Sequence, residues 1–213
     1  MVLSLINHHI TLLGYAPDPR PSMQAAYALA RRAVALDARN EYAHRALGIS
    51  CWALEQFDES LAALDRAVAL NPNCSLAYGS RGTLLAILGQ SDAGIEDQEI
   101  AINSNPLDPS ILFRFSGVAL AHYAADRFDL TIEWANRALH HNDEWYLAHF
   151  LKIASFVALE DSTKANDAAE ACPRLIPTVS VDLLERMPLQ RKTKMAELRT
   201  KLVLAGVPRI VAA

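Results

Sequence analysis

From Glu41 onward, apolar residues recur three and four positions apart, the spacing that turns one face of a helix toward a core. Glu41 through Leu54 predicts a first helix with Leu47, Gly48 and Cys51 on one side. Glu55-Gln56-Phe57-Asp58 predicts a short turn. Glu59 through Leu70 predicts a second helix whose stripe is Leu61, Leu64, Ala67 and Val68. Asn71-Pro72-Asn73 then stops it, because proline cannot continue the hydrogen-bond ladder and disfavours helix in the residue before it.

The same hairpin repeats. Gly14, Gly48 and Gly82 are 34 residues apart, as are Ala33, Ala67 and Ala101, and Pro72 and Pro106. A slip of three residues near Pro109-Ser110-Ile111 moves the later landmarks together: Ala138 lies 37 beyond Ala101, and Cys172 lies 34 beyond Ala138. Small residues hold the eighth place of each unit (Gly14, Gly48, Gly82, Ala119), until Ile153 breaks the series. They also hold the twentieth (Ala26, Ser60, Gly94, Thr131, Ala165). Glycine inside a helix costs up to about 1 kcal/mol relative to alanine. Its return at one place therefore predicts a close contact between the two helices of a hairpin.

A 34-residue period, small residues at the eighth and twentieth places, alanine near the twenty-seventh and proline at the thirty-second resemble the tetratricopeptide repeat family. Glu41–Cys74 carries the pattern nearly throughout and Ser75–Asp108 carries it well. Leu112–Trp145 has Asp143 where proline is usual, and Tyr146–Val179 has Lys152 and Ile153 at its leucine and glycine places. Asn7–Asn40 fits from Ser22 to Leu36, with Ala16-Pro17-Asp18-Pro19-Arg20-Pro21 in place of its turn. The resemblance implies an all-α, right-handed superhelix (an α-solenoid) of about five hairpins. The units would run over about 7–40, 41–74, 75–108, 112–145 and 146–178, with a C-terminal helical cap and tail over 179–213. A weaker resemblance links Ala-Val-Ala-Leu-Asp (33–37), Ala-Val-Ala-Leu-Asn-Pro (67–72), Asn-Pro-Leu-Asp-Pro (105–109) and Leu-Val-Leu-Ala-Gly-Val-Pro (202–208) to repeat regions of bacterial signalling proteins. There such regions follow cyclase or winged-helix domains, and this chain has neither.

Beyond the repeats, 179–186 and 191–205 predict two more helical stretches. In the second, Met195, Leu198 and Leu202 form the apolar face, and Arg191, Lys192, Lys194, Arg199 and Lys201 cover the rest as a solvated outer side. At the other end the opening helix carries Val2, Leu3, Leu5, Ile6, Ile10, Leu12 and Leu13, with no charge before Asp18. A terminal repeat needs a polar outer face, so this one predicts a cover: an upstream domain or a second copy of the chain.

Composition narrows the chemistry. Hydrophobic residues are 52% of the 213 but aromatics only 7%, which suits close-packed helices. A net charge of −4 does not call for nucleic acid. No apolar run approaches the roughly 20 residues of a membrane span. Cys51, Cys74 and Cys172 are too few and scattered for a disulfide framework, which predicts a cytoplasmic setting. Of the three, Cys74 falls in a turn and is expected to be the accessible thiol. His8-His9 and His140-His141 are adjacent pairs whose rings diverge on a helix, so no metal site is expected. No phosphate loop, nucleophile elbow or His-Glu-x-x-His occurs, and no catalytic residue or cofactor is expected. Asp65, Glu96, Asp97 and Glu133 fall on second helices and read as solvated.

The function expected is noncovalent binding of a protein or peptide in a concave groove. In the family the second, fifth, ninth and twelfth places of first helices line that groove. Carried onto this chain, those places give Tyr42, Arg45, Ile49 and Trp52, then Leu76, Gly79, Thr83 and Ala86, then Phe113, Ser116, Leu120 and Tyr123, then Leu147, Phe150, Ala154 and Val157; the ten expected to bind are Tyr42, Arg45, Ile49, Trp52, Thr83, Phe113, Ser116, Leu120, Tyr123 and Phe150. That surface is apolar and aromatic with one guanidinium, and suits an amphipathic helix or an apolar peptide. The alternative is the non-catalytic, regulatory C-terminal region of a larger signalling protein.

Overall fold

The computed structural model describes residues 19–176, 180–186 and 193–209. Among these, every regular element is helical. Helix α1 (Pro19–Leu36) is followed by four hairpins: α2 (Glu41–Ala53) with α3 (Phe57–Leu70), α4 (Ser75–Ile87) with α5 (Ser91–Ser104), α6 (Ile111–Ala124) with α7 (Phe128–His141), and α8 (Tyr146–Ala158) with α9 (Ser162–Leu175). A 3-10 turn (Val181–Arg186) and α10 (Thr193–Leu204) close the chain. Each second helix also packs on the next first helix, and first helices touch one another from α2 to α8, so the hairpins stack as a solenoid.

The turns within hairpins share one geometry. The fifteenth place of each unit has positive φ: Glu55 (62°), Gly89 (82°), Asp126 (58°) and Glu160 (60°). The next residue returns a bond to the eleventh place: Gln56 N–H to Cys51 O (2.9 Å), Gln90 to Leu85 (2.9 Å), Arg127 to His122 (2.9 Å) and Asp161 to Phe156 (3.0 Å). This left-handed cap satisfies carbonyls that a helix end leaves without partners. It also starts α3 two residues sooner than the sequence predicts, with Phe57 inside the helix. Between hairpins, asparagine side chains tie the turns: Asn71 Oδ1 accepts from Asn73 N–H and Asn142 Oδ1 from Glu144 N–H. The three-residue insertion adds a second such turn before α6, where Asp108 Oδ1 accepts from the Ser110 N–H (2.8 Å) and Oγ (2.7 Å).

The small residues mark the crossing of paired helices. A Cβ on Gly82 would stand 2.7 Å from the Gly94 carbonyl, and one on Gly94 would stand 2.8 Å from the Gly82 carbonyl. In the preceding hairpin Ser60 Oγ donates to the Gly48 carbonyl at 2.6 Å. At α8 the eighth place is Ile153, fully buried, and the α8–α9 hairpin makes fewer close backbone approaches than the three before it. A branched side chain at the crossing holds the helices apart.

Three expectations need correction. Helix α1 begins at Pro19 rather than Ser22, because proline is well accommodated in a first turn where the N–H has no partner to lose. Asp97 is not solvated: it is 4% exposed and receives both Arg81 Nε (2.7 Å) and Nη2 (2.8 Å). Finally, Cys74 is 5% exposed, packed with Ala67 and Ala77 under Val68 and Leu76. Burial pushes the Cys51 thiol up to about 12 and that of Cys172 up to about 11. All three cysteines are therefore expected to resist a thiol reagent at neutral pH and to react only as denaturant opens the fold. Rapid native labelling of Cys74 alone would show that its turn opens independently. The expected N-terminal helix and its self-association surface lie outside the described residues.

Candidate functional site

The first helices α2, α4, α6 and α8 supply the face on which the ten groove residues were placed. The structure leaves only part of it open. Tyr42 is 39% exposed, and Arg45, Thr83 and Phe113 are partly exposed. Ile49, Trp52, Ser116, Leu120, Tyr123 and Phe150 are buried, which corrects their reading as groove-lining surface.

Three causes account for the burial of Trp52, Ser116, Leu120, Tyr123 and Phe150. Trp52 enters the main core with Leu84 and Ile87 of the next first helix, so stacking of neighbours covers it. Ser116 is taken by Trp145, whose indole N–H donates to its Oγ at 2.8 Å while Phe113 packs edge-on to the Trp145 ring at 5.1 Å. Tyr123 and Phe150 are covered from the C-terminal side. Helix α10 packs on α8, and Leu198 and Leu202 share one cluster with Leu120, Tyr123, Phe150 and Ala154. Lys201 Nζ lies 5.3 Å from the Tyr123 ring centroid and 4.7 Å from that of Phe128, and Lys194 pairs with Asp126. These lysines were expected on a solvated outer side; they instead hold α10 against the α6–α7 turn. Tyr123 keeps its proton, since burial pushes its phenol well above the ordinary range.

The open part of the groove runs over α2, α4 and the start of α6. Here Arg45 Nε donates to the Leu76 carbonyl (3.0 Å) and to Ser80 Oγ (2.9 Å), which fixes the guanidinium against α4. Burial, reinforced by Arg114, lowers its pKa to about 10, so it remains a cation at neutral pH. Thr83 Oγ1 accepts from Gln98 Nε2 (2.9 Å), and that nitrogen also donates to the Gly79 carbonyl (2.9 Å). Arg114 is a wall residue that the sequence reading missed, because it stands at the third place of its unit. The available signal was the glycine at groove position 79, where a Cβ would overlap the Arg114 guanidinium.

Among the described residues no three of His, Cys, Asp and Glu gather as a metal would need. His140 and His141 lie exposed side by side at the end of α7. No described helix is long and apolar enough to cross a membrane.

Residues 41–74 match the family model described as Tetratricopeptide repeat. No curated protein matches the chain by sequence. Among solved structures, PilW, a type IV pilus biogenesis factor, is similar with a TM-score of 0.71 at 14% identity, over 93% of this chain and 90% of PilW. PilF of Pseudomonas aeruginosa is similar with a TM-score of 0.65 at 15% identity, over 95% of this chain and 90% of its own. YrrB, described as a tetratricopeptide protein with an unusual peptide-binding site, gives 0.55 at 14% identity, over 83% and 92%. Identities this low speak for the fold alone.

Proposed function

Because this chain carries a tetratricopeptide repeat and folds as a tetratricopeptide solenoid, we propose that it is a noncatalytic scaffold that binds a protein segment in the open part of its groove. The observation that carries this reading is the exposure pattern. Along the stacked first helices, Tyr42, Arg45, Thr83 and Phe113 keep a polar and aromatic surface open, while the C-terminal end of the same face, with Tyr123 and Phe150, is closed by α10. An aromatic ring beside a fixed guanidinium is a typical anchor pair at interfaces. Stacked helices hold both in place before binding, so little ordering entropy is lost. The peptide-binding site named for YrrB supports the same use of the fold.

The groove accommodates a short extended or helical segment lying across α2, α4 and the start of α6. Selection of a displayed peptide library on the intact chain tests this. Tyr42→Ala and Arg45→Glu are expected to weaken the selected peptides roughly tenfold, as befits loss of one interface anchor. Glu133→Ala, on the exposed face of α7, is expected to leave binding unchanged. Equal losses from all three variants, or none from any, would place the binding surface elsewhere.

A further inference from the structure

Helix α10 does not continue the stack. Each first helix from α4 to α8 packs on both helices of the hairpin before it. Helix α10 has its main support on α8, and its last turn is parted from α9 by an open cleft of about 540 Å³. Ala169 and Pro173 line that cleft on one side, Leu204 and Gly206 on the other. Instead of closing it, α10 lies on the groove face. Leu198 and Leu202, four residues apart and fully buried, share a cluster with Leu120, Tyr123, Phe150 and Ala154. Those four stand at groove places of α6 and α8. A helix presenting two leucines on one face thus fills this half of the groove, as a docked amphipathic helix does.

The fit is incomplete. The Tyr123 hydroxyl is buried without a hydrogen-bond partner, which costs a phenol taken from water. Lys201 Nζ lies over the Tyr123 and Phe128 rings, and burial there lowers its pKa, so the place is unfavourable to its charge. The two ends of α10 are also held unequally. Behind it, Gly206 (φ 84°) turns the chain and the Val207 N–H returns to the Leu202 carbonyl at 3.0 Å. The Pro208 carbonyl then accepts from the Val181 N–H at 2.9 Å, and both Val181 and Val207 are buried. In front, Lys194 pairs with Asp126, whose side chain is 57% exposed, and a pair so open to water contributes little.

We infer that α10 is a displaceable strap: it occupies the groove in place of a partner's amphipathic helix, which binds by swinging it aside about Gly206. The inference rests on the groove reading and extends it from the open part to the half beneath α10. The partner's helix carries two leucine-sized residues four apart. A side-chain acceptor for the Tyr123 hydroxyl would make it a better occupant than α10. Tyr42, Arg45, Thr83 and Phe113 hold the rest of the same segment. A strap closed about ten times as often as it is open lowers the apparent affinity about tenfold.

The intact chain tests this in two measurements. Native-state hydrogen exchange is expected to show the α10 amides opening locally, well before those of α8, and about tenfold faster again in Lys194→Glu. In the second, a labelled peptide with the sequence of residues 193–209 is titrated into wild type and into Leu198→Asp with Leu202→Asp, whose strap cannot dock. The peptide is expected to bind that variant at least about tenfold tighter than wild type. The same peptide carrying the two Asp substitutions is expected not to bind. Should the doubly substituted chain fail to fold, Lys194→Glu with Lys201→Glu loosens the strap and should shift affinity the same way. Peptides selected on wild type should also gain affinity in the loosened chains and compete with the 193–209 peptide. Selected peptides that bind every chain alike overturn the strap and keep the groove. Amides of α10 that exchange only together with those of α8 overturn the strap too. Local opening with the 193–209 peptide bound, but no selected peptide bound by any chain, keeps the strap and removes the open groove as a partner site. Local opening with neither kind of peptide bound overturns both.

Discussion

Phe150→Ala is expected to cost about 3–5 kcal/mol of folding stability, the range for removing a buried phenylalanine from a packed core. Phe150 is fully buried and packs edge-on with Tyr146 at a ring distance of 5.6 Å. It belongs to the cluster in which α10 meets α8, so its loss removes contacts within α8 and beneath the C-terminal helix together. Urea unfolding measures the loss, and the transition should also broaden, because arrays held by nearest-neighbour contacts lose cooperativity when one interface weakens. Tyr42→Ala, at the open end of the same face, should fall within about 0.5 kcal/mol of wild type, as surface substitutions usually do. If Phe150→Ala instead kept its stability and lost only peptide binding, α10 would not seal the groove in solution.

The contrast between those two residues shows what the sequence discloses and what it withholds. Both stand at groove places of the repeat, Tyr42 at the second and Phe150 at the fifth, and the period treats them alike. The period fixes which helix face points inward, because glycine, alanine and proline answer to local helix crossings and turns. It says nothing about what lies on that face, and the segment that covers Phe150 is the one stretch without a repeat. Lys194 and Lys201 read as solvated for the same reason: their partners, Asp126 and the Tyr123 and Phe128 rings, are over sixty residues away in sequence. Cys74 was misplaced by equating a turn with exposure, when Cys74 N–H bonds to the Asn71 carbonyl (3.0 Å) in a turn folded tightly against α4. Ile153 was legible as a departure from pattern, and the structure shows its consequence as a looser hairpin.

Asp97 is where the second large effect is expected. The period places it on a second helix, and its burial comes from the adjacent first helix, which sends Arg81 across to it. Arg81 holds Asp97 by two donors and Asp65 by a third, Nη1 to Oδ1 at 2.9 Å, while its ring-side neighbour Tyr78 lies 5.4 Å from the guanidinium carbon. The carboxylates push the Arg81 pKa up, so the cation is fixed throughout the accessible pH range. Removing one partner of a buried pair leaves the other charge uncompensated and costs about 3–5 kcal/mol. Arg81 retains Asp65 and is partly open to water, with 21% of its side chain exposed, which holds Asp97→Ala to the lower end, about 3 kcal/mol. Asp65→Ala, whose carboxylate side is 55% exposed, should cost no more than about 1 kcal/mol, as surface pairs do. Adding Arg81→Met to Asp97→Leu should recover much of the loss, because a buried pair replaced by apolar side chains of similar volume is often neutral. Denaturant unfolding of Arg81→Met, of Asp97→Leu and of the double variant measures the coupling directly. An Asp97→Ala cost no larger than that of Asp65→Ala would mean that water reaches the pair and that the α4–α5 seam is open at Arg81.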